Sequence, residues 1–217
     1  MATTAQSIIL DAQTALQDLA GVRWSATELV RHLNRGQRDI QTVRPDTTAV
    51  LATLALVAGF KQTIPVAAAS LIDIPANTSG TRITKVDTVL LDATLASWRS
   101  ATAAATVVHF MHDMRLPRQF LVYPPATTSA SVDIEYSAYP TDVTTPSGDG
   151  LAYTTVSGNI SLNDQWSTAL LCVVLHYAYA KDAEYGGNAG LSQAYMQKAQ
   201  GILGVELQSA TQVAPKS

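Results

Sequence analysis

Between residues 5 and 19 the apolar positions Ile8, Ile9, Ala12, Leu16 and Leu19 recur at three- and four-residue intervals, the spacing of one helical face. Gly21 is a fitting stop. The next signal is Ser25-Ala26-Thr27-Glu28, the form of a capping box in which serine and glutamate side chains satisfy each other's backbone N–H groups. It predicts a helix that ends near Val43, before Pro45. At 100° per residue Leu29, Leu33 and Ile40 fall on one side of it and Arg31, Arg35 and Arg38 on the other, so this helix has a core face and a cationic face.

From Thr47 the period shortens. Segments rich in Val, Ile, Thr and Tyr alternate with Gly, Pro and Asn clusters, predicting strands near 49–57, 61–64, 71–74, 81–86, 107–113, 119–123 and 131–137. A short helix capped by Asp87 is expected over 87–93. The two runs around Phe120–Tyr123 and Val132–Tyr136 flank Pro124-Pro125 and are expected to form a hairpin, with Asp133 and Glu135 on its wet face. Residues 140–159 are dense in Thr, Ser, Gly, Pro and Asp and predict a long loop, with a short strand at 151–156. A helix over 163–183 follows, with Asp164 near its positive end. Trp166, Leu170, Val173 and Tyr177 form one stripe, and Leu171, Val174 and Ala178 extend it, the pattern of a helix buried on several sides. Gly186-Gly187-Asn188 breaks the chain before a last helix over 189–203, and the polar end, 208–217, predicts disorder until a partner orders it.

These elements imply an α+β fold: a four-helix body formed by N- and C-terminal helix pairs, with an inserted β-rich, antiparallel module. The expected divisions are 1–46 for the first helices, 47–160 for the insertion, 161–207 for the last helices and 208–217 for the tail.

Composition changes this picture in one respect. Charged residues are 14% of the 217 and hydrophobic residues 47%, against roughly 25% charged in an ordinary soluble domain. Much of the surface is therefore expected to be covered. The longest apolar runs, such as 49–59, contain Thr or Gly and fall short of a membrane span, so partner subunits are the expected cover. No basic region precedes the first apolar residues, which predicts a protein without a signal peptide, made in the cytosol. Cys172 lies among leucines and valines, as a buried thiol does. A net charge of -3 argues against a surface that grips nucleic acid throughout.

The chemistry-bearing residues give no catalytic pattern. No phosphate-binding loop, dinucleotide fingerprint, nucleophile elbow or zinc-protease helix occurs. His109 and His112 lie three apart in an expected strand and so point to opposite faces. Cys172 and His176 share a helical face but lack the third and fourth ligands that zinc wants. Asp133 and Glu135 read as solvating charge on a strand. The Arg31, Arg35, Arg38 stripe stays open among three readings: a solvated face balanced by Glu28, a contact for acidic residues of a neighbouring subunit, and a face toward DNA. No metal, cofactor or catalytic residue is expected. A small hydrolase using Asp133, Glu135 or His109, or a ligand-binding module, is the competing class.

Several phrases, in order along the chain, resemble the head-to-tail adaptor (connector) proteins of tailed bacteriophages, particularly the short-tailed ones. They are Ala15-Leu16-Gln17-Asp18 with Arg23-Trp24-Ser25 and Glu28-Leu29-Val30, Leu56 through Pro65, Phe120 through Pro125, Val132 through Pro140, and Ala178 through Tyr185. The resemblance implies a structural virion protein at the head-to-tail junction, made in the host bacterial cytoplasm. It would form a ring, commonly of twelve copies, between the portal protein and the tail nozzle or tail tube. Double-stranded DNA would pass through its channel without sequence-specific binding. Arg31, Arg35 and Arg38, the 140–160 loop and the terminal tail are the expected contacts. Another neck or head-completion protein of the virion is the neighbouring alternative. The family carries no catalytic residues to transfer, and no membrane partner.

Overall fold

The computed structural model describes residues 3–144, 153–181 and 184–204. Its elements in chain order are α1 (Ala5–Ala15), α2 (Ala26–Val43), β1 (Ala49–Ala55), β2 (Gly59–Thr63), β3 (Ala68–Asn77), β4 (Thr84–Lys85), α3 (Thr88–Thr94), β5 (His109–Met111), β6 (Gln119–Ala126), β7 (Ser131–Ala138), α4 (Ser167–Lys181) and α5 (Asn188–Leu203). The class is α+β, with a helix pair at each end of the chain and a β-rich module between them. The chain divides into two compact units, Met1–Thr47 with Pro140–Ser217, and Thr48–Tyr139.

In the helical unit α1 starts where Thr4 accepts the Ser7 N–H at 3.2 Å. It ends a turn earlier than its apolar pattern predicts. Gln17 takes a left-handed φ of 55°, and the Asp18 carboxylate then collects the N–H groups of Val22, Arg23 and Trp24 at 2.8 to 3.0 Å. Burial pushes the Asp18 carboxyl up, but the N–H groups of Trp24, Arg23, Val22 and Gly21 outweigh it and hold it below the ordinary range. Leu19 consequently leaves the core face and stands exposed. In α2, Ser25 accepts the Glu28 N–H at 3.3 Å, while the Glu28 carboxylate reaches Lys181 of α4 at 2.8 Å. Only one half of the capping box therefore appears among the described hydrogen bonds.

The helix at the centre of this unit is α4. A one-turn 3-10 segment, Asp164–Trp166, leads into it where the sequence predicts helix from 163. Ala169, Leu170, Cys172, Val173, Val174, Leu175 and Ala178 are buried, and α1, α2 and α5 all pack on it. Its apolar circumference is thus absorbed largely within the same chain. A close approach lies at Gly36 of α2, where an added Cβ would stand 3.0 Å from Val173 Cγ1 and 3.1 Å from Leu170 Cδ1. Trp24 locks the top of the same interface by donating its indole N–H to the Ala178 carbonyl at 3.1 Å. Arg44 closes another corner: it stacks on Trp166, 4.4 Å from the ring centroid, and donates to the Leu203 carbonyl at the end of α5. Residues Val143, Val156, Ile160 and Leu162 join this core. The strand expected at 151–156 is instead a 3-10 turn over Tyr153–Thr155.

The β unit holds two sheets, of order β1-β7-β3 and β2-β6-β5-β4. Both contribute to one core that includes Leu71, Ile74, Phe110, Phe120, Val122, Val132 and Ile134. Strand β6 alternates, so Phe120 and Val122 face that core while Leu121 and Tyr123 face a second cluster under α3 with Leu91 and Trp98. The β6–β7 hairpin expected from sequence does not form. Strand β6 pairs with β2 and β5, and β7 with β1 and β3, so each strand is central in its own sheet and has no edge left for the other. The pairings are antiparallel except for the short β4–β5 ladder, which is parallel. The polar tail expected at 208–217 and the middle of the 140–159 loop lie outside the described residues.

The Gly36 contact yields a direct test. Replacing Gly36 with Leu forces a branched side chain into Val173 and Leu170, and urea unfolding is expected to show a loss of about 1–3 kcal/mol or more.

Candidate functional site

The cationic face of α2 follows from its amphipathic pattern: Leu29, Leu33 and Ile40 are buried against the helical core, and Arg31, Arg35 and Arg38 are all exposed. The three arginines, though, are in different circumstances. Arg35 lies over the Tyr177 ring of α4, 4.4 Å from its centroid, and stands 3.8 Å from Asp39. Tyr177 in turn donates its hydroxyl to Asp39 and stacks with His32 at 5.7 Å. Burial, then the bond to Asp39, pushes Tyr177 up to about 12. Burial also depresses the charged form of His32. Arg35 is therefore part of a surface polar cluster that ties α2 to α4.

Arg38 donates to both carboxylate oxygens of Asp142. The segment carrying Asp142 is held from beneath by Asn34, whose side-chain amide donates to the Val143 carbonyl at 2.9 Å and accepts the Val143 N–H at 2.8 Å. A buried amide that satisfies both backbone groups of one residue in this way fixes that residue's position. Gln37 adds a third tie by accepting the Ser161 N–H at 2.6 Å. Arg31 is the exception: among the described residues it has no ion pair or hydrogen bond. It borders a depression of about 450 Å³ with Asn34, Arg38, Asp142, Val143 and Thr144. Glu28 does not balance this face, since its carboxylate is engaged by Lys181 at 2.8 Å and approaches His32 at 3.9 Å.

The sequence pattern thus locates the arginine face but not its partition into engaged and open cations. Asp142 and Asn34 are not legible as its partners. Asn34 carries one usable signal: it is polar at a position of α2 that lies between the core residues Val30 and Leu33 and the close-packed Gly36.

The remaining candidates do not converge. His109 is in β5 and stacks with Tyr123 at 6.1 Å, whereas His112 lies just past the strand's end, its charged form disfavoured by burial. Asp133 accepts the Thr53 hydroxyl at 3.0 Å, and Glu135 sits opposite Leu51 and Asp73 in the β1-β7-β3 sheet. Cys172 is buried, which pushes its thiol up, and the His176 ring pairs with Ser192 of α5 at 2.9 Å. Among the described residues no group of three or more His, Cys, Asp or Glu stands together to hold a metal, and no helix is long and apolar enough to cross a membrane.

Large apolar side chains are conspicuous on the surface instead. Val22, Val66, Val89 and Met114 are each at least 75% exposed; scattered singly along the chain, they do not by themselves mark a docking patch.

A family model described as SU10 adaptor protein matches residues 3–216. No curated protein matches the chain. The chain belongs to the SU10 adaptor protein family, and is a structural adaptor of a bacteriophage; this is not a class of enzymes.

The two ties to the 140–144 segment differ in weight. Asn34→Ala leaves the Val143 N–H and carbonyl buried without partners and is expected to cost about 2 kcal/mol. Arg38→Ala removes an ion pair whose side chains are 55% and 54% exposed, and is expected to cost less than about 1 kcal/mol. Chemical denaturation of the two variants beside the parent measures both.

Proposed function

We propose that the chain is a head-to-tail adaptor that forms a ring, of twelve copies, between the portal protein and the tail nozzle or tail tube of a tailed phage. Double-stranded DNA passes through the channel of that ring. The observation that carries this reading is the family match over residues 3–216. The surface supports it: a chain with 14% charged residues and with Val22, Val66, Val89 and Met114 standing in solvent gains by burying area against neighbours on two sides. Contacts of the head-to-tail kind close into rings when the rotation per subunit fits.

The partition of the arginines refines where docking occurs. Arg35 and Arg38 are paired with Asp39 and Asp142 within the chain, which leaves Arg31 as the cation of α2 most available to an acidic group of a partner. The same partition leaves little for DNA. A lumen through which a genome slides must not hold phosphates, and a net charge of -3 with two of three clustered arginines engaged meets that need.

Imaging the purified chain mixed with its phage's portal tests the ring directly. A ring of this chain on the tail-side face of the portal is expected; no complex at micromolar concentrations, about the range of a weak specific contact, contradicts it. Arg31→Glu is expected to weaken portal or tail docking about tenfold while leaving the melting temperature within about 2 °C, measurable by sedimentation of the complex and by calorimetry. Affinity of the free chain for duplex DNA is expected to stay weaker than about 1 μM at physiological salt.

A further inference from the structure

The two sheets of the β unit present four edges, and three carry the devices that keep strands from pairing with other chains. Strand β4 is only two residues long and ends in Lys85. Strand β2 carries Lys61, and its register shifts between Gly59 and Lys61. Strand β3 contains Asp73 and Pro75, shifts register at three points, and is covered where Ile83 donates to the Pro75 carbonyl and Leu71 to the Pro117 carbonyl, each at 3.1 Å. Short strands, lysines, prolines and bulges are the usual protections.

Strand β1 has none of them. Its seven residues, Ala49-Val50-Leu51-Ala52-Thr53-Leu54-Ala55, include no charge, no proline and no glycine, and they pair with β7 in unbroken register over their full length. Among the described residues no strand lies on the other side. The strand is exposed at Val50, Leu51, Thr53 and Ala55, with Leu51 at 68%. On the core side Leu54 packs against the buried cluster and Ala52 sits opposite buried Ile134, so among the described residues the core runs out to an open edge.

The occupant is written in the strand itself. A two-fold contact requires a surface complementary to its own copy. Read about Ala52, β1 is close to palindromic: antiparallel pairing with a second β1 sets Val50 against Leu54, Leu51 against Thr53, Ala49 against Ala55 and Ala52 against itself. Each pair is an apolar or Thr match, and no like charges meet. We propose that the free protein pairs with a second copy through β1, antiparallel and centred on Ala52, making one six-stranded sheet from two three-stranded ones. A seven-residue strand spans about 24 Å, so the contact is small and reversible, suited to a protein that must later exchange it for other neighbours. Because it is isologous, it closes on two copies and cannot itself build a ring; it belongs to the protein before assembly.

Sedimentation velocity on the free chain, without portal or tail, tests this separately from the ring. A concentration-dependent dimer is expected. The double variant Leu51→Lys, Thr53→Lys brings the two introduced ammonium groups of one copy against those of the other, a like-charge pair on each side of the axis. Within one chain the same substitutions face Glu135 and Asp133 across β7; the fold is kept and the dimer dissociation constant rises about tenfold or more. Ala52→Cys places two thiols opposite each other at the axis, and mild oxidation is expected to cross-link them, whereas Val57→Cys, exposed just beyond the strand, is expected to stay monomeric. A chain that stays monomeric up to about 100 μM overturns the proposal, since a weak specific contact is populated by then. So does a dimer that the lysine variant leaves unchanged and Ala52→Cys does not cross-link.

Discussion

The contact on which the rest depends is the close packing of α2 against α4 at Gly36. A Cβ at 36 would stand 3.0 to 3.1 Å from the Val173 and Leu170 side chains, so α2 and α4 pack more tightly there than a side chain at 36 allows without its neighbours giving way. Two helices far apart in sequence are thereby brought into one core, and everything between them must leave and return. That is why the middle of the chain forms a unit of its own with a separate core, and why the returning segment is tied down by Asn34, Gln37 and Arg38. The same helix explains an excess in the composition: α4 is apolar around its circumference because three helices of its own chain surround it.

Much of this is legible from periodicity. The seven strands, the helix capped by Asp87 and the core face of α2 follow from local spacing, since burial on one side imposes a period that survives in the sequence. Pairing is not legible in the same way. The runs around Phe120 and Val132 look like a hairpin because they are close in sequence and flank two prolines, but strand partners are chosen by which edges remain free, and β6 and β7 each already have two neighbours. The early stop of α1 escapes the sequence for a different reason: Asp18 satisfies three backbone N–H groups by curling the chain, an option that competes with helix and leaves no mark in the apolar pattern. The arginine stripe is visible, but a face of three cations and a face with one open cation read identically until Asp142 and Tyr177 are in place.

What remains at the surface is specific and small in extent. Exposed apolar side chains stand at Val22, Val66, Val89 and Met114 and along β1, and the open charge on α2 is Arg31. The chain belongs to a family of structural bacteriophage adaptors, and these exposed groups are where the proposed contacts with other chains would fall.

The claim that this chain joins head to tail is tested most directly by silencing its gene during infection and imaging the particles released. Capsids that carry a portal but no tail, with tail parts accumulating separately and whole particles restored when the chain is supplied, are the predicted result. Complete tailed particles in its absence would contradict it.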